Sequence, residues 1–259
     1  MDEKEIANAK RAMAGPLGQQ MAKFPLLFAK AVYFGQRPSR TRPTQIRSGT
    51  VTLADLGRGA VAITCQHVIE QYLKLRNEHE NIVFQIGHIE LDPLAQLVDQ
   101  NQRLDLAVFE LTPDQVMAIT SEGEIGSCVY RPVTWPVPPI AEGSFISFGG
   151  FPGALRSVVS FDEIDFLTWS SGATEVSAVS ENRIVTAFDR SYWVGAFGAK
   201  ENLNLRALGG LSGGPAFADR GLYRDLVGIV SDYHENYDAM FFASTSAIRS
   251  DGTLVQPAV

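Results

Sequence analysis

Hydrophobic and polar positions change period along the chain. Over residues 1–34, apolar positions such as Ile6 and Met13 recur among charges at helical spacing, and Gly15-Pro16 interrupts the run. A second apolar patch, Phe24-Pro25-Leu26-Leu27-Phe28-Ala29, comes next. The pattern predicts an N-terminal helical extension. From Gln36 to Arg47 the chain is basic, with Arg37, Arg40, Arg42 and Arg47 and no acid, which reads as a solvated linker. From Ser48 short strand-like runs take over: Thr50–Leu53, Ala60–Thr64 after a Gly57-Arg58-Gly59 turn, Ile82–Ile86 and Leu106–Leu111. A helical stretch from Cys65 to Arg76 breaks this series. Pro132, Pro136, Pro138 and Pro139 then exclude regular helix and most sheet pairing, and mark a linker between two halves of similar size. Beyond it lies a second strand series: Phe145–Phe148, near Val158, Phe166–Thr168, Val176–Ala178, Arg183–Val185, Leu226–Ser231 and Met240–Ser244. Many short strands at even spacing suit sandwiches or barrels.

Composition narrows the function classes. At 259 residues, 45% of them hydrophobic, the chain can build one large or two small cores. A net charge of −7 argues against a nucleic-acid surface, which needs a basic face. Cys65 and Cys128 are too few for a disulfide scaffold; each lies in an apolar stretch and is expected as a buried free thiol in a reducing compartment. No basic leader is present, and no run approaches the ~20 apolar residues of a bilayer span. The expectation is a soluble, cytoplasmic protein without a membrane or nucleic-acid partner. No cysteine–histidine spacing suggests a zinc site, so no metal or cofactor is expected. The stretch 1–35 is a candidate for engaging a regulatory protein partner.

The densest chemical signal is Gly209-Gly210-Leu211-Ser212-Gly213-Gly214-Pro215-Ala216-Phe217. A serine among four glycines is either a plain surface turn or a presented nucleophile with backbone N–H groups facing a developing oxyanion. Gly210-Leu211-Ser212-Gly213-Gly214 also fits the Gly-x-Ser-x-Gly elbow of α/β-hydrolases. That fold needs a histidine well after the serine and a helix directly behind it. Only His234 comes after the serine, and Gly213-Gly214-Pro215 opposes a helix.

His67 comes just after a strand, Asp105 opens the run Asp105-Leu106-Ala107-Val108, and Ser212 comes last. With Ile63-Thr64-Cys65-Gln66-His67-Val68, Ser212-Gly213-Gly214-Pro215, Gly228-Ile229-Val230-Ser231 and Phe242-Ala243-Ser244-Thr245, the chain over about residues 48–250 resembles the trypsin-like (chymotrypsin-fold) serine peptidases. It is most similar to the disulfide-free HtrA-type protease domain, without a PDZ module. The resemblance implies an all-β fold of two six-stranded antiparallel Greek-key β-barrels with an N-terminal helical extension. The expected division is an extension and basic linker at 1–47, a first barrel at 48–131 carrying His67 and Asp105, and a second at 132–259 carrying Ser212. It implies a serine endopeptidase acting on protein or peptide substrates through an acyl-enzyme. Ser212 would be the nucleophile, His67 the general base and Asp105 its orienting carboxylate. The N–H groups of Gly210 and Ser212 would form the oxyanion hole. Ser231 would sit beside Asp105, on a strand that pairs with substrate backbone.

Departures from the family carry information. Leu211 stands where cleavage-activated relatives have an aspartate that pairs with a new N-terminus, so that activation route is not expected. Gln66 replaces a small residue before His67. Counting places Arg206 near the primary pocket, and the acidic Asp232–Asp238 segment reads as a solvated loop beside the cleft. His79, His88 and His234 are expected to have no catalytic part. A catalytically silent peptide- or protein-binding module on the same fold is the second reading.

Overall fold

The computed structural model describes residues 3–37, 46–121, 123, 125–160, 163–187 and 208–255. Arg40, Arg42 and Arg206 lie outside the described residues. Helices α1 (Glu3–Ala14) and α2 (Pro16–Lys23) lead into a 3-10 turn, Phe24–Phe28. The first sheet contains β1 (Ala29–Gln36), β2 (Ile46–Asp55), β3 (Ala60–Thr64), β4 (Ile82–Ile86), β5 (Ile89–Glu90), β6 (Leu97–Asn101) and β7 (Leu106–Glu110). Helix α3 (Gln66–Glu78) comes after β3, and α4 (Pro113–Thr120) after β7. The second half holds β8 (Phe145–Gly150), a hairpin of β9 (Arg156–Val158) and β10 (Ile164–Phe166), β11 (Trp169–Ser170), β12 (Thr174–Val179), β13 (Arg183–Ala187), β14 (Pro215–Asp219), β15 (Arg224–His234) and β16 (Ala239–Ser244).

The first seven strands form an antiparallel half-barrel sheet in the order β5-β4-β1-β2-β3-β7-β6. In the second half the order is β11-β8-β12-β13-β16-β15-β14, and β14 pairs back onto β8. That pairing closes six strands into an antiparallel barrel and removes their free edges. The all-β, two-barrel chymotrypsin-like architecture expected from the sequence is therefore present, with helices at its N-terminus.

Helix through residue 34 is corrected by the structure. Residues 29–36 are β1, which pairs with β2 on one side and β4 on the other. Val32 and Phe34 are fully enclosed in the first core. A strand buried on both faces has no period-2 alternation, so its apolar run reads as readily as a helix. Phe24 and Phe28 seat edge-on and tilted against Phe217 at 5.0 and 5.3 Å, and the Arg224 guanidinium lies 4.4 Å over the Phe24 ring. The segment from Phe24 onward is thus part of the body. Helix α4, with a capping box between Thr112 and Gln115, and strand β6 were not anticipated from the sequence.

Two cores place the site between them. One gathers the first sheet together with Phe217, Leu226, Ile229 and Ala243 from the second half. The other fills the closed barrel with Ile146, Phe148, Val176, Ile184, Val230, Met240 and Phe242. Because β14 and β15 contribute to both, the second barrel packs its outer surface against the first sheet, and their loops meet along that seam. Cys65 is buried in it, whereas Cys128 is exposed, contrary to the expectation for the second thiol. Tyr130, two residues on, takes the inward position instead, its ring against Phe217 and Phe28.

Candidate active site

The register of β3 on β7 brings His67 and Asp105 together. Thr64 pairs with Ala107, so the chain beyond β3 runs beside the residue preceding β7. Asp105 holds a left-handed backbone with φ of 54°, a conformation that aspartate tolerates better than most side chains. The turn before it is fixed by Asn101, whose Oδ1 accepts from the N–H groups of Arg103 and Leu104. Asp105 Oδ1 then accepts from the His67 backbone N–H at 3.0 Å, and Oδ2 lies 2.9 Å from His67 Nδ1. Two contacts from one carboxylate fix both the main chain and the ring. Gln66 is buried, and its amide donates to Glu70 at 3.1 Å, which accommodates the larger residue at that position.

Ser212 reaches the same seam by different means. Leu208 and Leu211 are buried in the second core and anchor the loop on either side of the glycines. Leu211 N–H donates to Leu208 O, Gly213 N–H to Val230 O and Gly214 N–H to Leu211 O. The N–H groups of Gly210 and Ser212 donate to no described residue. Gly210 sits at φ of 99°, and a Cβ there would meet Gly153 N at 2.5 Å and Phe151 O at 2.7 Å. Gly213 sits at φ of 95°, where a Cβ would overlap the Thr50 carbonyl. Both positions therefore require glycine.

Two buried threonines of the first sheet clamp this loop, and a third, Thr64, braces Thr50 from the neighbouring strand. Thr50 Oγ1 donates to Gly210 O at 2.7 Å and accepts from Phe151 N–H at 3.0 Å. Thr52 Oγ1 donates to Gly213 O, and Thr64 Oγ1 donates to Thr50 O, each at 2.8 Å. Thr50 N–H donates to Ser212 O at 2.9 Å. Sequence reasoning reads these residues only as strand formers. Their available signal is alternate hydroxyls on a strand that is buried and must find acceptors for them.

Ser212 Oγ donates to the carbonyl of Ser231 on β15 at 3.4 Å. Among the described residues no hydrogen bond joins it to His67. Ser231 is buried, and its own hydroxyl has no hydrogen-bond partner among the described residues. Asp232, next along β15, is exposed and lies 3.3 Å from His234 Nε2. Burial disfavours the His67 imidazolium. The Asp105 hydrogen bond and charge, with the charges of Asp232 and Glu70, outweigh it and hold the pKa above the usual 6.5. Burial, reinforced by Asp105, pushes the Cys65 thiol well above its ordinary value. His79 caps the C-terminal end of α3, and His88 lies in the tight turn between β4 and β5.

No family model matches the chain, and no curated protein matches it. Solved structures do. The Rv3671c protease of M. tuberculosis, in its active form, aligns over 95% of this chain and 90% of its own at 12% identity, with a TM-score of 0.47. Catalytically inactive tobacco etch virus protease complexed with substrate aligns over 86% of this chain and 80% of its own at 12% identity, with a TM-score of 0.44. The catalytically active form complexed with product covers 85% of this chain and 74% of its own at 12% identity, with a TM-score of 0.43. No helix among the described residues is long and apolar enough to cross a membrane.

Proposed function

We propose that this chain is a trypsin-like serine endopeptidase, related to the HtrA-type branch, that works through His67, Asp105 and Ser212. One observation carries the reading. It is an Asp105–His67 pair with a 2.9 Å contact, together with a serine loop whose Gly210 and Ser212 N–H groups donate to no described residue. Two such N–H groups beside a serine hydroxyl are what an oxyanion site requires.

In the proposed cycle Ser212 Oγ attacks the scissile carbonyl while His67 Nε2 takes its proton. Asp105 holds the Nδ1–H tautomer and stabilises the imidazolium. The oxyanion of the tetrahedral intermediate is met by the Gly210 and Ser212 N–H groups. His67 then gives its proton to the leaving amine, and water releases the acyl group by the reverse sequence. Substrate backbone adds along β15, with the Ser231 carbonyl as an acceptor. That carbonyl holds the Ser212 hydroxyl at rest. Substrate binding would displace the hydroxyl from Ser231 O and pass it to His67.

The two thiols are free, which supports a reducing, cytoplasmic setting. A regulatory partner on the N-terminal stretch would use residues before Phe24, since the chain from Phe24 onward belongs to the body. The resting Ser212–Ser231 contact also favours a second reading, a silent peptide-binding module. Labelling with a fluorophosphonate probe separates the two. The wild type is expected to label and Ser212→Ala is not; absence of labelling in both leaves the silent module.

A further inference from the structure

Cys65 takes no part in the proposed peptidase cycle, yet it lies against its centre. Its Sγ, a nitrogen of His67 and a carboxylate oxygen of Asp105 all lie within 4.8 Å of one another. Nδ1 is the His67 nitrogen that faces the carboxylate, 2.9 Å from Oδ2. Thiolate, imidazole and carboxylate are together the ligand set of zinc-type sites. Zinc bonds of about 2.0–2.3 Å place tetrahedral ligand atoms roughly 3.3–3.8 Å apart, so the three groups need to move by only about an ångström. The His67 and Asp105 side chains are 36% and 21% exposed, whereas Cys65 is fully buried, so an ion reaches the thiol only past those two groups. The thiol donates to Val230 O at 3.0 Å.

We infer that Cys65, His67 Nδ1 and Asp105 form a regulatory site for a thiophilic divalent cation, with Zn²⁺ as the fitting ion, and that its occupation silences Ser212. Cys65 loses its S–H proton to solvent as the metal–sulfur bond forms. His67 stays neutral, but Nδ1 now gives its lone pair to the metal, so its single proton resides on Nε2. Nε2–H donates and cannot accept, and Ser212 loses its base. Asp105 changes from orienting the imidazole to ligating the ion. Metal binding stands apart from the peptidase reading, whereas the silencing rests on it.

The test uses the full chain with Cys128→Ser, so that Cys65 is the sole thiol. Co²⁺ is added and the thiolate-to-cobalt charge-transfer band is read in the near ultraviolet. Separately, the fluorophosphonate labelling rate is measured against added Zn²⁺. The expected results are a charge-transfer band and a labelling rate lowered by about 10²–10⁴-fold, the contribution of a general base. Adding Cys65→Ser, which keeps a donor toward Val230 O, must abolish the band and leave labelling the same with and without Zn²⁺. His67→Ala, at a half-exposed position, must also abolish the band. Absence of the band in the Cys128→Ser protein overturns the site. So does a band that survives His67→Ala, or equal Zn²⁺ slowing after Cys65→Ser. A protein that shows the band but never labels keeps the metal site and removes the peptidase reading.

Discussion

The two halves of the molecule present the proposed catalytic groups by opposite means. In the first sheet, ordinary strand register does the positioning: β3 pairs with β7, and the residues just beyond each end meet as His67 and Asp105. Asp105 itself holds a left-handed backbone, at φ of 54°. In the second barrel, the Ser212 loop belongs to no strand and is shaped by glycines at φ of 99° and 95°. Side-chain chemistry specifies the first half and backbone geometry the second. A substitution that leaves one half folded and changes only its chemistry should therefore damage activity in the first. In the second, the smallest added side chain should damage structure.

Asp105→Asn is expected to give the largest effect. The amide fits the same space but offers Nδ1 a donor or an acceptor in place of a full charge, so the wrong imidazole tautomer is favoured. A fall of about 10⁴-fold in kcat is expected, with little change in the unfolding midpoint. Steady-state kinetics beside a denaturant melt checks it; loss of stability in step with activity would place Asp105 in the scaffold instead. Gly213→Ala is the opposite experiment. The positive φ alone costs about 1–3 kcal/mol for a residue with a Cβ, and overlap with the Thr50 carbonyl adds to it. The unfolding midpoint should fall sharply and fluorophosphonate labelling should vanish with it. A stable Gly213→Ala protein that labels normally would sink the claim that backbone geometry shapes this half.

Thr50→Val tests what joins the halves. Valine keeps the shape but leaves Gly210 O and Phe151 N–H without the hydroxyl that serves both. Leaving buried backbone groups unpaired costs about 1–3 kcal/mol. Because Gly210 is the proposed oxyanion donor, labelling should slow by more than the stability loss explains. Chemical denaturation and labelling rates on one preparation give both numbers.

Sequence alone makes the site legible wherever chemistry is local. His67, Asp105 and the Ser212 loop stand out as the proposed site because each sits in a short stretch whose residue types have few other uses together. Strand series in both halves are legible from β-branched runs such as Ala60–Thr64 and Leu226–Ser231. What escapes is set by tertiary pairing. Residues 29–34 read as helix because burial on both faces of β1 erases the alternation of a strand. The roles of Thr50 and Thr52 depend on which carbonyls lie opposite them across the seam, and no local pattern encodes that. Cys65 reads only as a small apolar residue. Its closeness to Asp105 comes from the β3–β7 register, which is known only once the sheet is formed.

The smallest effect expected crosses the seam by charge alone. His67 belongs to the first half, but Asp232 on β15 of the second helps to hold its pKa above 6.5. Proposed catalysis needs the neutral imidazole, so kcat/KM should rise with pH through an acid limb lying above that value. Asp232→Asn should move the limb slightly to lower pH, because its carboxylate is exposed and screened. Stability carries the opposite sign. A proton bound more tightly in the folded state stabilises the fold fully below pH 6.5, and that contribution is lost as pH rises through the folded-state pKa. Wild type should therefore exceed His67→Gln in stability by more at about pH 5 than at about pH 8. A pH–rate limb that stays fixed on Asp232→Asn, and also shifts when salt is raised, would show the screening to come from elsewhere on the acidic surface. A limb that moves to higher pH would reverse the sign of the coupling and sever this electrostatic link between the halves.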